Sequence, residues 1–172
     1  NDQDIRNRLP TDVILQDDSA VSLVVNKLYI TTEAAGADRA LTLPLLSTVN
    51  NGDFVSVHIG AAMGNNAHTY AVTCQGDNKI YGNVSVGNAL AGVAAVVDGG
   101  GLLNNVSNIE AHNLAAVYLG GDTDNNSAGT IGSTITLTAI KGSTNSIWWL
   151  SGNVTAADPN TTGAKFIADQ DD

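Results

Sequence analysis

The sequence predicts an all-β protein: an antiparallel β-sandwich or jelly-roll-like domain with long Gly/Asn/Asp loops. Three observations carry that expectation. Apolar and polar residues alternate over short stretches, most clearly in Thr134 to Lys141 (TITLTAIK), and strand side chains switch face at every residue. Clusters of Gly, Asn, Asp and Ser separate these stretches at intervals suited to short strands. Aromatic residues are only 5% of the chain, and the apolar content comes mostly from Ala, Val, Leu and Ile.

The 172 residues divide into an N-terminal arm, 1–11, and a single β-rich domain, 12–172, long enough to bury a core of its own. The arm is polar apart from Ile5 and Leu9, and it holds Arg6 and Arg8 close together in an otherwise acidic chain. It is expected either to fray or to lie across a neighbouring subunit or shell protein. Asp12 to Gln16 and Ala20 to Thr32 read as strands. Asn26-Lys27 interrupts the second and marks a hairpin or a bulge. Glu33 to Arg39 is a loop, too short and too interrupted by Gly to form a stable helix.

The stretch from Ala40 to Gly82 organises the rest. Leu41-Thr42-Leu43 is a strand stopped by Pro44, and Ser47 to Gly52 is a turn. In Asp53 to Ile59, Val55, Val57 and Ile59 share one face, while Ser56 and His58 share the other. A loop from Gly60 to Ala67 leads to Thr69–Cys74, where Tyr70, Val72 and Cys74 share a side. Gln75 to Asn78 turns the chain into Lys79-Ile80-Tyr81. Val84 and Val86 form a short strand. Ala89 to Val97 suits a buried strand or a small-residue helix, with Gly92 and the valines favouring strand. Ile109 to Leu119 contains one or two strands, and Gly120 to Gly132 is a long loop. Thr134 to Lys141 turns at Gly142 to Asn145 and returns as Ser146 to Val154, a hairpin. A short final strand, Ala164 to Ile167, precedes the acidic end.

Composition narrows the function. Seven Lys plus Arg against seventeen Asp plus Glu give a formal charge of −10. Nucleic-acid binding needs clustered cations to displace phosphate counterions, and anionic membranes need the same, so neither is an expected partner. No apolar run approaches a membrane span, and the start of the chain lacks the apolar core of a signal peptide. It also lacks an initiator Met, which reads as processing or trimming. Cys74 is the only cysteine, so no intrachain disulfide is expected, and on its apolar face it acts as a small hydrophobe.

The organising stretch also resembles a module of tailed-bacteriophage virion proteins found in fibres, spikes and capsid decorations. The matching residues are Thr42-Leu43-Pro44, Asn51-Gly52-Asp53, and Gly76-Asp77 with Ile80 and Gly82. Gly132 to Gly152 fits the module's closing hairpin, which carries a Trp on its last strand. The stretch between Gly87 and Ile131 departs from the compact module. The resemblance implies a virion class of protein, made in the host cytoplasm and used in an assembled particle.

Candidate chemistry is sparse. Asp122, Asp124 and Asn126 alternate, a spacing that directs three oxygens toward one hard cation. An EF-hand would require Gly at Ser127 and a bidentate acid at Ser133, so calcium is only a weak candidate and no cofactor or metal is expected. His58, His68 and His112 lack a zinc spacing, although His58 and His68 are placed on adjacent strands of one hairpin. There is no GxSxG elbow, no HExxH and no phosphate-cradling loop, and Glu33 and Glu110 are the only glutamates. No enzyme is expected. Trp148-Trp149 is the most informative pair: neighbours on a strand face opposite ways, so one enters the core while the other meets a sugar or a neighbouring subunit, unless both are buried.

The expected function is therefore that of a non-enzymatic virion structural protein, a capsid decoration (cement) protein. It would act as a homotrimer that binds the major capsid protein on the capsid exterior and stabilises the shell. Ile5, Arg6, Arg8 and Leu9 are candidates for the shell contact, and Trp148 and Trp149 for an exposed aromatic or subunit contact. The alternatives are a head- or tail-fibre receptor-binding domain that recognises host glycan and, third, a polysaccharide-degrading spike fragment.

Overall fold

The alternating segments of the first half resolve into strands that take turns between two sheets. The computed structural model describes residues 12–61, 68–88, 114–120 and 131–156. The arm with Ile5, Arg6, Arg8 and Leu9, the Asp122/Asp124/Asn126 loop, Glu110, His112, and the predicted strands over 89–97 and 164–167 lie outside them.

Strands β1 (Asp12–Gln16), β3 (Lys27–Thr31) and β5 (Phe54–Ile59) lie side by side and parallel in the first sheet. Strands β2 (Val21–Ser22), β4 (Arg39–Thr42) and β6 (Tyr70–Thr73) do the same in the second. The first sheet continues antiparallel from β5 to β10 (Thr134–Lys141) and β11 (Ser146–Ala156). Both β7 (Ile80–Gly82) and β8 (Ser85–Asn88) then pair parallel to β11. In the second sheet, β9 (Ala116–Leu119) pairs antiparallel to β6.

The described residues are thus strand-rich, consistent with an all-β protein, but the expected antiparallel pairing is corrected: both sheets are mixed. Parallel neighbours need a crossover, and here the crossover is itself a strand of the opposite sheet. Two further expectations fall with it. Asn26-Lys27 is neither a hairpin nor a bulge but a corner between sheets. Asp53–Ile59 and Thr69–Cys74 belong to different sheets, so they form no hairpin.

The corner has a local cause. Asn26 adopts φ 62°, a left-handed conformation that Asn tolerates better than most residues. Its side chain donates to Asp53 Oδ1 at 3.0 Å and accepts from the Phe54 N–H at 3.3 Å, which fixes the turn to the start of β5. A second tie sits at the other end of β1. Arg39 donates Nε to Asp18 Oδ1 at 2.8 Å and Nη2 to Asp18 Oδ2 at 3.0 Å, a bidentate geometry that a carboxylate favours.

Both sheets feed one core. Leu41, Tyr70, Val72 and Val117 from the second sheet join Val55, Val57, Leu137 and Trp148 from the first in a single buried cluster. Each fully buried aliphatic side chain contributes about 1.5–3 kcal/mol. The hairpin β10–β11 forms as expected, with the Gly142 N–H donating to Asn145 O at 2.9 Å. Within it Ala139 stands opposite Trp148, a small residue beside a large one that lets the indole lie in the core.

Candidate interaction surface

The outward face of the first sheet is built by simple alternation. Val55, Val57, Ile135, Leu137, Trp148 and Leu150 point into the core, so the residues between them point out. Register then aligns rows across the strands. One row runs Val13, Leu28, Ser56, Thr136, Ser151, and the next Leu15, Ile30, His58, Thr134, Asn153. A third row holds Phe54, Thr138, Trp149 and Tyr81. Ile140 and Ile147 pair beyond it.

None of these outward positions is Asp, Glu, Lys or Arg. The charged residues of the same strands sit on the alternate parity. Asp12 and Lys27 form an ion pair with each other, and Lys141 donates Nζ to Val49 O at 2.7 Å. The face also retains large apolar side chains: Leu15 is 69% exposed, Val13 56%, Ile140 42% and Trp149 42%. Between these ends runs a strip of paired polar groups. Ser56 and Thr136 share a hydrogen bond of 2.9 Å, and His58 Nδ1 lies 2.7 Å from Thr134 Oγ1. Hydroxyls satisfied by each other across strands need little from water.

The two tryptophans separate: Trp148 is fully buried, whereas Trp149 stands on the outward face between Thr138 and Tyr81. The histidines separate too. His58 lies on β5, while His68 precedes β6 of the other sheet, with its Nδ1 3.7 Å from Asp38 Oδ1. Their placement on one hairpin is corrected by that sheet assignment. Among the described residues, no group of three or more His, Cys, Asp or Glu is arranged to hold a metal. Burial pushes the Cys74 thiol up to about 12, with Lys79 pulling weakly the other way. Among the described residues no helix is long and apolar enough to cross a membrane.

Sequence reasoning singled out Trp149 but passed over Val13, Leu15, Leu28 and Ile30. The available signal was in β1, where Val13, Ile14 and Leu15 are aliphatic on both parities and leave aliphatic side chains outside whichever face is buried; β3 (KLYIT) carries its aliphatic residues on one parity and offers no such signal. The chain matches no family model, and searches of curated proteins and of solved structures found no significant match.

Proposed function

We propose that this chain is a non-enzymatic structural subunit of a phage virion, a decoration protein that binds the outside of the capsid shell as a homotrimer. The observation that carries the reading is the outward face of the first sheet, which holds no ionic side chain in a chain of net charge −10. Burying unpaired charge on association is costly, whereas burying apolar side chains and mutually bonded hydroxyls is not. Such a face suits permanent contact with other protein. The likeness of Thr42-Leu43-Pro44, Asn51-Gly52-Asp53 and Gly76-Asp77 to the virion module supports the same conclusion.

In this reading the two sheets form a sandwich-like building block. The segment with Ile5, Arg6, Arg8 and Leu9 contacts the major capsid protein, and the acidic loops face solvent and keep the particle dispersed. The test is a low-resolution map and protein mass analysis of the intact particle, together with heat release of its genome with and without the protein. The protein is expected on the capsid exterior in multiples of three, and its loss should lower the release temperature. Absence from the particle, or a position only at the tail tip, refutes the reading.

A further inference from the structure

We infer that Asn51-Gly52 is a latent deamidation site that strand β10 holds shut, so that Asn51 becomes aspartate or isoaspartate only after residues 139–141 lift off the turn. The property belongs to this turn and is independent of what the chain assembles with.

Asn51-Gly52 is the one Asn-Gly step in the chain. Asn is thermolabile, and most so before Gly, which has no side chain to obstruct ring closure. Base draws the proton from the Gly52 nitrogen, which then attacks Asn51 Cγ. A C–N bond forms, the bond from Cγ to the side-chain nitrogen breaks, and ammonia leaves with that proton. Water then opens the succinimide at either carbonyl, giving aspartate or isoaspartate, with no oxidant or cofactor taking part. Asn51 is exposed, so water and hydroxide reach it.

The fold occupies both reacting groups. The Gly52 N–H donates to Ala139 O at 2.8 Å, and the Lys141 N–H donates to Asn51 Oδ1 at 2.8 Å. These bonds continue the β5–β10 ladder past its last regular pair, Phe54 with Thr138, with the side-chain carbonyl of Asn51 serving as an acceptor. The flanking residues are tied as well. Asp53 O accepts from the Ala139 N–H at 2.7 Å. The Asp53 carboxylate accepts from the Asn50 N–H at 2.7 Å and from Asn26 Nδ2 at 3.0 Å. Closing the ring brings the Gly52 nitrogen onto Asn51 Cγ, which takes its proton from Ala139 O and turns the amide away from Lys141. With the neighbours pinned, that motion requires the end of β10 to open first.

Each member of the labile pair is used. Gly52 holds φ 88°, a left-handed conformation that glycine adopts without strain. Asn51 supplies Lys141 with a neutral acceptor, where aspartate would add a second carboxylate beside Asp53.

The test uses the full chain, with deamidation of Asn51 followed by peptide mapping and mass detection in mildly alkaline buffer, with and without urea. The folded chain should deamidate at least about tenfold more slowly than the unfolded one, the ratio that two net hydrogen bonds set. In subdenaturing urea the rate should rise by the same factor as hydrogen exchange of the Gly52 amide, since one opening serves both. Lys141→Pro removes the N–H that holds Asn51 Oδ1. Once circular dichroism shows it folded, it should deamidate about threefold faster or more in buffer and at the wild-type rate in urea. Equal wild-type rates in buffer and urea overturn the lock. So does deamidation that rises with urea while Gly52 exchange does not, or a folded Lys141→Pro with an unaltered rate. If Lys141→Pro fails to fold, the two wild-type comparisons decide alone.

Discussion

Replacing each of two adjacent tryptophans by alanine tests the two-face geometry on which the interaction surface depends. Trp148 is fully buried and Trp149 is 42% exposed. A buried Trp removes about 150–250 Å² from water, worth about 4–6 kcal/mol at about 25 cal/mol per Å². Against this stands the indole N–H of Trp148, which has no hydrogen-bond partner among the described residues. Leaving such a donor buried costs about 1–3 kcal/mol, and that penalty disappears with the side chain. Trp148→Ala should therefore destabilise by about 3–4 kcal/mol, and Trp148→Phe, which keeps a ring and loses the N–H, by less than about 2 kcal/mol. Trp149→Ala forfeits only cross-strand contacts with Thr138 and Tyr81 and should cost about 1 kcal/mol or less. The assay is urea unfolding at low protein concentration, with the slope m required to stay constant. If Trp149→Ala proved as damaging as Trp148→Ala, the assignment of inward and outward parity along β11 would be wrong, and the surface would go with it.

Three further outcomes follow from the packing and the titrating groups. Gly152 holds φ +145°, and a Cβ there would overlap the Thr134 carbonyl of the paired strand. Gly152→Ala should cost about 3 kcal/mol or more in urea unfolding. Gly132→Ala, at φ +90° with nothing within 4 Å, should cost only about 1–2 kcal/mol; equal losses would refute the clash. The Arg39 hydrogen bonds, and next the Gly36 backbone, lower the Asp18 carboxyl from 3.8 to about 2. A depressed folded value means that Asp18 stabilises the fold above its unfolded value and ceases to do so as pH falls through the folded one. Wild type should lose stability relative to Asp18→Asn between about pH 4 and 2, and parallel acid melts would count against the ion pair. Cys74, held up at about 12 by burial, should react with a disulfide reagent at pH 8 about a hundredfold more slowly in the folded chain than in urea. Equal rates would show that the thiol is open.

Parity was legible in the sequence and partnership was not. The alternation in Phe54–Ile59 and Thr134–Lys141 reports which side chains share a face, and the buried set Val55, Val57, Ile59, Ile135, Leu137 and Ala139 follows it. Alternation carries no information about which strand lies alongside, however. A chain that crosses to the opposite sheet after each strand looks locally like one that turns back on itself, so consecutive strands of opposite sheets were read as hairpins. The turn residue Asn26 is equally compatible with both until its hydrogen bonds to Asp53 and Phe54 are known.

The third strand shows why the interaction surface was hidden, and it strengthens the case for one. Hydrophobicity alone would turn Leu28 and Ile30 inward and leave Tyr29 and Thr31 outside. The protein does the reverse: Tyr29 and Thr31 are buried, while Leu28 and Ile30 are only partly covered. The inversion is sustained because the inward hydroxyls are used. Tyr29 accepts the Val24 N–H at 2.7 Å, and Thr31 accepts the Gly60 N–H at 3.2 Å, so each holds a connection between elements that an aliphatic side chain could not. The consequence is that two aliphatic side chains are placed on the outer face beside Val13 and Leu15, which are more exposed still. The transfer free energy of those four side chains is only partly recovered within the chain. It is recovered when a second surface covers them, and none of the outward positions described in the first sheet's strands is an acid that would oppose that approach.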